Sequence, residues 1–214
     1  MGEGSNHSWA ALVAIVALTV SVAGAQASSG GVGPGGGGGN GGGGGGCSRT
    51  EFGKRTLEQG DCGTDVTTLN WILKAKSYGV PLHKNFKSPT TTSVRDFQRR
   101  KDVRASGVVN KRTRNELVGS MRRQMASWYG PGFYGNTTAC GQTLRTDTVG
   151  VAHRSLSCGT KVVIGYRARY LRTRVIDRGP FVKRRYERDW DLTHGAAQRL
   201  GFEGTDKVRA APIK

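Results

Sequence analysis

Side chains that could transfer protons are frequent in residues 126–214. A carboxyl group acts as a general acid or base when its pKa suits the working pH. Asp191 is our first candidate donor: it precedes a predicted helix, and the adjacent Trp190 and Leu192 would shield it and raise its pKa. The alternative role is an N-cap for that helix. The region has seven carboxylates in all: Asp147, Asp177, Glu187, Asp189, Asp191, Glu203 and Asp206.

Two further residues could assist such a donor. Asp177 ends a predicted strand next to Arg178, whose charge would keep the carboxylate ionised; the alternative is an aspartate that forms a turn. His153 could relay protons or donate a hydrogen bond to a ligand, and its alternative is a satisfied polar group in a core.

The N-terminal residues predict export. Residues 9–27 (WAALVAIVALTVSVAGAQA) are apolar and end in small residues, which is typical of a signal peptide cut after Ala27. The residues before this run include the acidic Glu3 and no Lys or Arg, whereas a signal peptide usually begins with basic residues. An uncleaved N-terminal anchor is therefore the alternative. Residues 28–46 follow as a flexible linker, with 14 glycines among the 17 residues from Gly30 to Gly46.

Four cysteines in an exported chain favour disulfides over metal ligands. No C-x-x-C spacing occurs, and the chain has only four histidines, so we expect neither a metal nor another cofactor. Proximity in the sequence pairs the cysteines as Cys47–Cys62 and Cys140–Cys158.

The net charge of +18 suggests a polyanionic partner. Outside a cell, that partner would be an anionic wall polymer. The basic residues form no stripe interleaved with aromatic residues, so we expect no specific nucleic-acid site, although a basic secreted protein with a protein or nucleic-acid target stays an alternative.

The pattern of apolar residues divides the remaining chain into two regions. Residues 47–123 predict three short helices, in TDVTTLNWILKAKSYG, TTTSVRDFQRRKDV and NKRTRNELVGSM, with Thr64 or Asp65 capping the first. Residues 126–214 predict short strands in VGVAH, TKVVIGY and YLRTRVIDRG, and a helix in LTHGAAQRLGF. We therefore expect an α+β chain, in which a small helical bundle precedes a small closed barrel.

The first region resembles the helical peptidoglycan-binding module. The resemblance rests on GDCGTDVTTL, the TxxxVRDFQ-like segment and SGVVNKRTRNEL. Ser106-Gly107 replaces the Asp-Gly usual in that family, and PLHKNFKSP is an insertion before the second helix. A three-helix spacer without a ligand is the alternative.

The second region resembles the rare lipoprotein A family, whose fold is a six-stranded double-psi β-barrel with one or two short helices. Four motifs occur in the family's order: ASWYGPGFYGNTTACG, GVAHRSLSCGT, VIDRGPF and DWDLTHGAAQRLGF. The resemblance implies a functional role for Asp191 and His153 and allows a disulfide at Cys140 and Cys158 that clamps the loop between the first two strands. One departure is Gln142, where enzymatic relatives carry a glutamate; glutamine cannot transfer a proton. Another is Arg145, where relatives often have Asp.

These observations predict a monomeric wall protein outside the cell that binds peptidoglycan glycan strands and anionic wall polymers, and touches a membrane only if the N-terminal segment is uncleaved. A lytic transglycosylase can use one acid/base residue, because the 6-hydroxyl of muramic acid is the nucleophile. The alternative is a wall-loosening binder without activity, as in expansins. The predicted catalytic residues are Asp191, Asp177 and His153, and the predicted sugar contacts are Gln142, Tyr134, Arg178 and Trp190.

Overall fold

The computed structural model describes residues 47–181 and 187–213, and these lie in one compact unit. The predicted signal or anchor segment and the glycine-rich linker lie outside the described residues. No helix within the described ranges is long and apolar enough to cross a membrane.

Three helices form the first part of the fold, as predicted. They are α1 (Thr64–Ala75), α2 (Ser88–Arg100) and α3 (Lys111–Gly119). The predicted cap of α1 is wrong, because the N-cap is Gly63 and Asp65 lies inside the helix. Asp65 is fully buried and accepts from Nε of Arg55 at 2.7 Å, so a charged pair uses this carboxylate.

Six strands and one helix form the second part. The strands are β1 (Arg122–Tyr129), β2 (Val151–Ala152), β3 (Lys161–Tyr166), β4 (Arg169–Asp177), β5 (Trp190–Thr193) and β6 (Asp206–Pro212). The helix α4 (His194–Leu200) follows β5 directly and ends at Gly201, which has a left-handed conformation. The sequence predicted β2, β3, β4 and α4, and it gave no strand for β1, β5 or β6.

The six strands close into a barrel in the order β1-β5-β2-β4-β3-β6. β1 pairs with β5, and β2 with β4, in parallel, and the other four pairs are antiparallel. Its interior is apolar and holds, among others, Val151, Val162, Ile164, Val175, Trp190, Leu192 and Val208. The predicted fold class, a helical bundle followed by a six-stranded barrel, is confirmed.

The helices pack against the outside of this barrel at β3 and β6. Val162 and Ile164 point into the barrel, whereas Val163 belongs to the core that the helices form. Apart from the exposed Lys161, β3 is therefore buried on both faces, which explains its unbroken run VVIGY without charged residues. Ala211 of β6 joins the same helical core, so the two parts of the fold share one layer of buried side chains.

Candidate functional site

The short strand β5 positions Asp191. Because side chains alternate along a strand, Asp191 faces away from the barrel core that Trp190 and Leu192 enter. The expectation that these two residues shield the carboxyl group is therefore wrong. Asp191 pairs with Ser127 of β1 on one side and with Ala152 of β2 on the other, so these elements form its surroundings.

The carboxyl group of Asp191 is largely buried and has a directed donor. The hydroxyl of Ser127 donates to Oδ1 of Asp191 at 2.7 Å. Burial raises the pKa of Asp191 above its usual value, and the charge of Asp177 adds to the rise, while the bond from Ser127 and the charge of Arg188 oppose it. A raised pKa favours the protonated form, which a general acid needs.

Asp191 does not cap the helix that follows it. The N-cap of α4 is Thr193, whose hydroxyl accepts from the backbone N–H of Ala196 at 3.3 Å. The same hydroxyl donates to the carbonyl oxygen of Thr148 at 2.6 Å. Thr193 thus takes the alternative role of Asp191, whose carboxyl group is left available on the face of β5 that points away from the barrel core.

An irregularity in β4 places Asp177 on the same outer face of the barrel as Asp191. Val151 pairs with Val175, but the next residue, Ala152, pairs with Asp177, so Ile176 is an extra residue at this point. Regular alternation would put Asp177 on the face of Val175; the bulge moves it to the face of Ala152. Gly150 makes room for this arrangement, because a Cβ atom there would lie 2.3 Å from Cδ1 of Ile176.

Three donors hold the carboxylate of Asp177. The backbone N–H groups of Ala139 and Arg178 donate to Oδ1 at 2.9 and 2.8 Å, and the hydroxyl of Tyr129 donates to Oδ2 at 3.1 Å. Burial and the negative charge of Asp177 raise the pKa of Tyr129 well above its usual value, so the phenol stays protonated. The bond from Arg178 is the predicted turn bond, and it coexists with the other two contacts.

The loop between β1 and β2 reaches over this site and is fixed by a disulfide. Cys140 pairs with Cys158 across a Cα–Cα distance of 5.6 Å, which joins the loop to the segment between β2 and β3. Ala139, the residue before Cys140, is the one that bonds Asp177. The pairing of Cys47 with Cys62 is also confirmed.

His153 follows β2 and lies beside the site. Its Nδ1 accepts from the backbone N–H groups of Ser155 and Leu156 at 3.2 and 3.1 Å, so the ring carries its proton on Nε2. Burial lowers the pKa of His153, and nearby Arg154 and Arg178 lower it further against the opposing charge of Asp189. Its ring packs on that of Trp190, with 4.5 Å between centroids.

The four predicted sugar contacts lie in different places. Gln142 is exposed, and Tyr134 is half-buried with its hydroxyl 3.1 Å from Nδ1 of His194. Arg178 donates from Nη1 to the carbonyl oxygen of Leu156 at 2.7 Å. Trp190 is 1% exposed in the barrel core, so its ring is not accessible to a ligand. The ring instead packs against that of His153.

The sequence did not predict Ser127 as a residue of the site, and it indicated Tyr129 only as an aromatic residue that could line a sugar groove or close the barrel core. Ser127 and Tyr129 alternate with Ala126 and Trp128 in ASWY, a period-two pattern that predicts a strand with two polar side chains on one face. Within the described ranges, no group of three or more His, Cys, Asp or Glu residues is arranged to hold a metal ion.

The closed six-stranded barrel and the row of carboxylates on its outer face define a double-psi β-barrel domain. Residues 122–212 match the family model described as "Lytic transglycolase", and residues 62–117 match the one described as "Putative peptidoglycan binding domain". The barrel is thus similar to the lytic transglycolase family, and the helices are similar to a peptidoglycan binding domain.

Curated relatives resemble part of the chain. The chain is 41% identical over 100 residues to the endolytic peptidoglycan transglycosylase RlpA of Campylobacter jejuni. The aligned residues cover 45% of this chain and 35% of that protein. The chain is also 36% identical over 86 residues to the protein of the same name from Pseudomonas aeruginosa, covering 39% and 24%. The match thus spans about a third or less of each relative.

Two solved structures are similar to part of the chain. The Streptomyces papain inhibitor has a TM-score of 0.36 at 20% identity and covers 45% of this chain and 96% of that one. An expansin from Clavibacter michiganensis has a TM-score of 0.35 at 23% identity and covers 43% and 50%.

Proposed function

We propose that the barrel cleaves peptidoglycan glycan strands as a lytic transglycosylase, with Asp191 as its acid and base. The observation that carries the proposal is the environment of Asp191: its pKa is raised by burial, Ser127 orients it, and it is free of any capping role. The match to the lytic transglycolase family supports the substrate class.

The reaction needs one proton-transferring group. Asp191 donates its proton to the glycosidic oxygen, and the bond from that oxygen to C1 of muramic acid breaks. The 6-hydroxyl of the same sugar then attacks C1 and gives its proton to the Asp191 carboxylate, which restores the acid. The products are a free 4-hydroxyl and a 1,6-anhydro sugar, and no water is consumed.

Asp177 would act as a fixed acceptor near the reacting sugar. Its oxygens accept from Tyr129, Ala139 and Arg178, so the carboxylate has a defined position. A negative charge held there would stabilise the positive charge that develops on the sugar ring, and it also helps Asp191 to keep its proton. His153 would donate a hydrogen bond from Nε2 to the glycan.

Gln142 would bind substrate without transferring a proton. It is exposed on the β1–β2 loop, and its amide suits the N-acetyl group of a sugar. In this scheme, the glutamate that enzymatic relatives carry at this position is dispensable.

The helical domain would hold the chain on peptidoglycan while the barrel acts. Its match to the peptidoglycan-binding model supports this role. Two disulfides suit an oxidising compartment, so we place the protein outside the cytoplasm, at the cell wall.

Digestion of purified peptidoglycan tests the proposal. We expect the full-length chain to release 1,6-anhydro muropeptides, detected by mass spectrometry, and the variant D191N to lose at least about 100-fold of this activity. The matched control is D147N, which removes an exposed carboxylate of the same domain and should keep full activity. Binding to peptidoglycan without any anhydro product would instead support the non-catalytic, expansin-like alternative.

A further inference from the structure

A basic cavity lies where the helical domain meets the barrel, away from the row of carboxylates. It has a volume of about 460 Å³. Lys54 and Arg114 line it from the helical side, and Arg167 and Arg209 line it from the barrel. Four cations therefore face one space that neither domain could form by itself.

Within the described residues these four cations form no ion pair within 4.0 Å, although the charge of Arg167 helps to lower the pKa of Asp206. Arg114 donates from Nη1 to the carbonyl oxygen of Gly53 at 2.6 Å, and Arg209 donates to that of Met121 at 3.1 Å. Arg114 also donates from Nη2 to Oδ1 of Asn115 at 3.3 Å. These bonds to neutral oxygens fix the two guanidinium groups, and a guanidinium has five N–H donors, so each group keeps further donors for a ligand. Like charges held close together favour a bound anion.

Tyr170 also lines the cavity, and its ring is held in place by packing. Its ring lies across Gly165, where a Cβ atom would be 2.5 Å from a ring carbon, and it meets the ring of Phe52 edge-on at 5.7 Å between centroids. Burial raises the pKa of Tyr170, although Arg209 and Arg114 oppose the rise, so the phenol is a donor at neutral pH. The cavity thus offers hydrogen-bond donors to an oxyanion.

We propose that this junction cavity binds a carboxylate of an anionic peptide, namely of the peptide chains attached to peptidoglycan. The inference rests on the proposed function, which places such peptides beside the bound glycan. The wall of the cavity contains Phe52 and Val118 as well as cations, and this mixture fits a carboxylate on an aliphatic chain better than a wholly polar phosphodiester. The forked guanidinium of Arg114 suits two-point binding of the carboxylate.

Titration calorimetry on the full-length chain tests the site. The probes are the peptides that an amidase releases from purified peptidoglycan, the same peptides with their carboxylates amidated, and inorganic phosphate. We expect the free peptides to bind, and the K54Q/R114Q variant to bind them at least about tenfold more weakly. The control R112Q removes one charge from the same helix outside the cavity and should change the affinity less than about twofold.

The proposal is overturned if the amidated peptides or phosphate bind as tightly as the free peptides, or if R112Q weakens binding as much as the double variant does. Circular dichroism and the thermal midpoint of K54Q/R114Q check that the fold is intact. Cleavage of glycan strands stripped of peptides separates the two proposals. It should be unchanged in K54Q/R114Q, and its absence in the unaltered chain would count against the transglycosylase proposal alone.

Discussion

The hydroxyl of Ser127 lies 2.7 Å from Oδ1 of Asp191, and the two residues are direct partners on adjacent parallel strands. The backbone register alone therefore brings the donor to the carboxyl group. The bond stabilises the ionised form of Asp191 and lowers its pKa, in opposition to the effect of burial. Burial and the bond from Ser127 thus act on the pKa of Asp191 in opposite directions, and substitution of Ser127 removes the second effect.

The variant S127A should shift the pH dependence of cleavage upward. Without the hydroxyl, the pKa of Asp191 rises further, so the acid keeps its proton to higher pH. A hydrogen bond to a charged group is worth about 1.5–3 kcal/mol, which corresponds to a shift of about one to two pH units. Initial rates of anhydro-product release between pH 4 and 9 measure the descending limb. The exposed Thr205→Ala serves as control, and an unmoved limb in S127A would exclude Asp191 as the titrating acid.

The variant D191N should be more stable than the parent at neutral pH. Because the folded-state pKa of Asp191 is raised, the stability that this group contributes is complete below the unfolded value near 3.8 and is lost as the pH rises through the folded value. Asparagine cannot ionise, and its carbonyl oxygen still accepts from Ser127. We expect a higher midpoint of thermal unfolding at pH 7, and a gain that vanishes toward pH 3.5. A lower midpoint at pH 7 would contradict this account of the pKa.

The imidazole of His153 should be neutral, with its proton on Nε2, at pH 7. The two backbone donors at Nδ1 require that tautomer, and burial lowers the pKa below 6.5. With a depressed folded value, the contribution of this group to stability is complete above pH 6.5 and is lost as the pH falls through the folded value. Nitrogen-15 chemical shifts across pH 5–8 report both the tautomer and the pKa. A ring protonated on Nδ1 at pH 7 would show that the loop bonds are absent.

The sequence predicted those helices and strands in which apolar and polar side chains follow a clear period. β4 shows it well, since Thr173 and Val175 are buried while Arg172 and Arg174 are exposed. The strand β1 was missed because its first half, Arg122 to Gln124, is polar on both faces. Short-range patterns of this kind report local burial and carry no information on which strands pair.

The composition of the site was predicted less completely than the fold. Asp191 was predicted from its position before a helix and from motif resemblance, and Asp177 from its position beside Arg178 at the end of a strand. The register of β5, β2 and β4 places both on one face. That face depends on a bulge at Ile176 and on the pairing of β1 with β5, which are 60 residues apart in the sequence. Strand register is a tertiary property, so the contact from Ser127 could not be read from the sequence.

Loss of the disulfide Cys140–Cys158 should disturb the site before it disturbs the helices. The bond fixes Cys140, whose neighbour Ala139 is one of the donors to Asp177, and a link of 18 residues is worth about 3 kcal/mol. We expect C140S/C158S to lose at least about tenfold in activity and to gain protease cleavage within residues 130–158. The control C47S/C62S should leave that segment protected. Equal protection of the segment in both variants would argue against the clamp.

The helical domain and the barrel should unfold in one transition, because they share a buried layer. Val163 of β3 is fully buried in the helical core, while its neighbours Val162 and Ile164 fill the barrel. The variant V163T places a hydroxyl group in that layer at a cost of about 1–3 kcal/mol, which both domains should feel. Urea unfolding measured by circular dichroism, with hydrogen exchange of α1 and β1 amides, follows each domain separately. We expect the two to lose protection together and at lower urea in V163T, whereas the half-exposed control V108T should match the parent. Helices that melt at a urea concentration distinct from that of the barrel would show that the shared layer does not couple them.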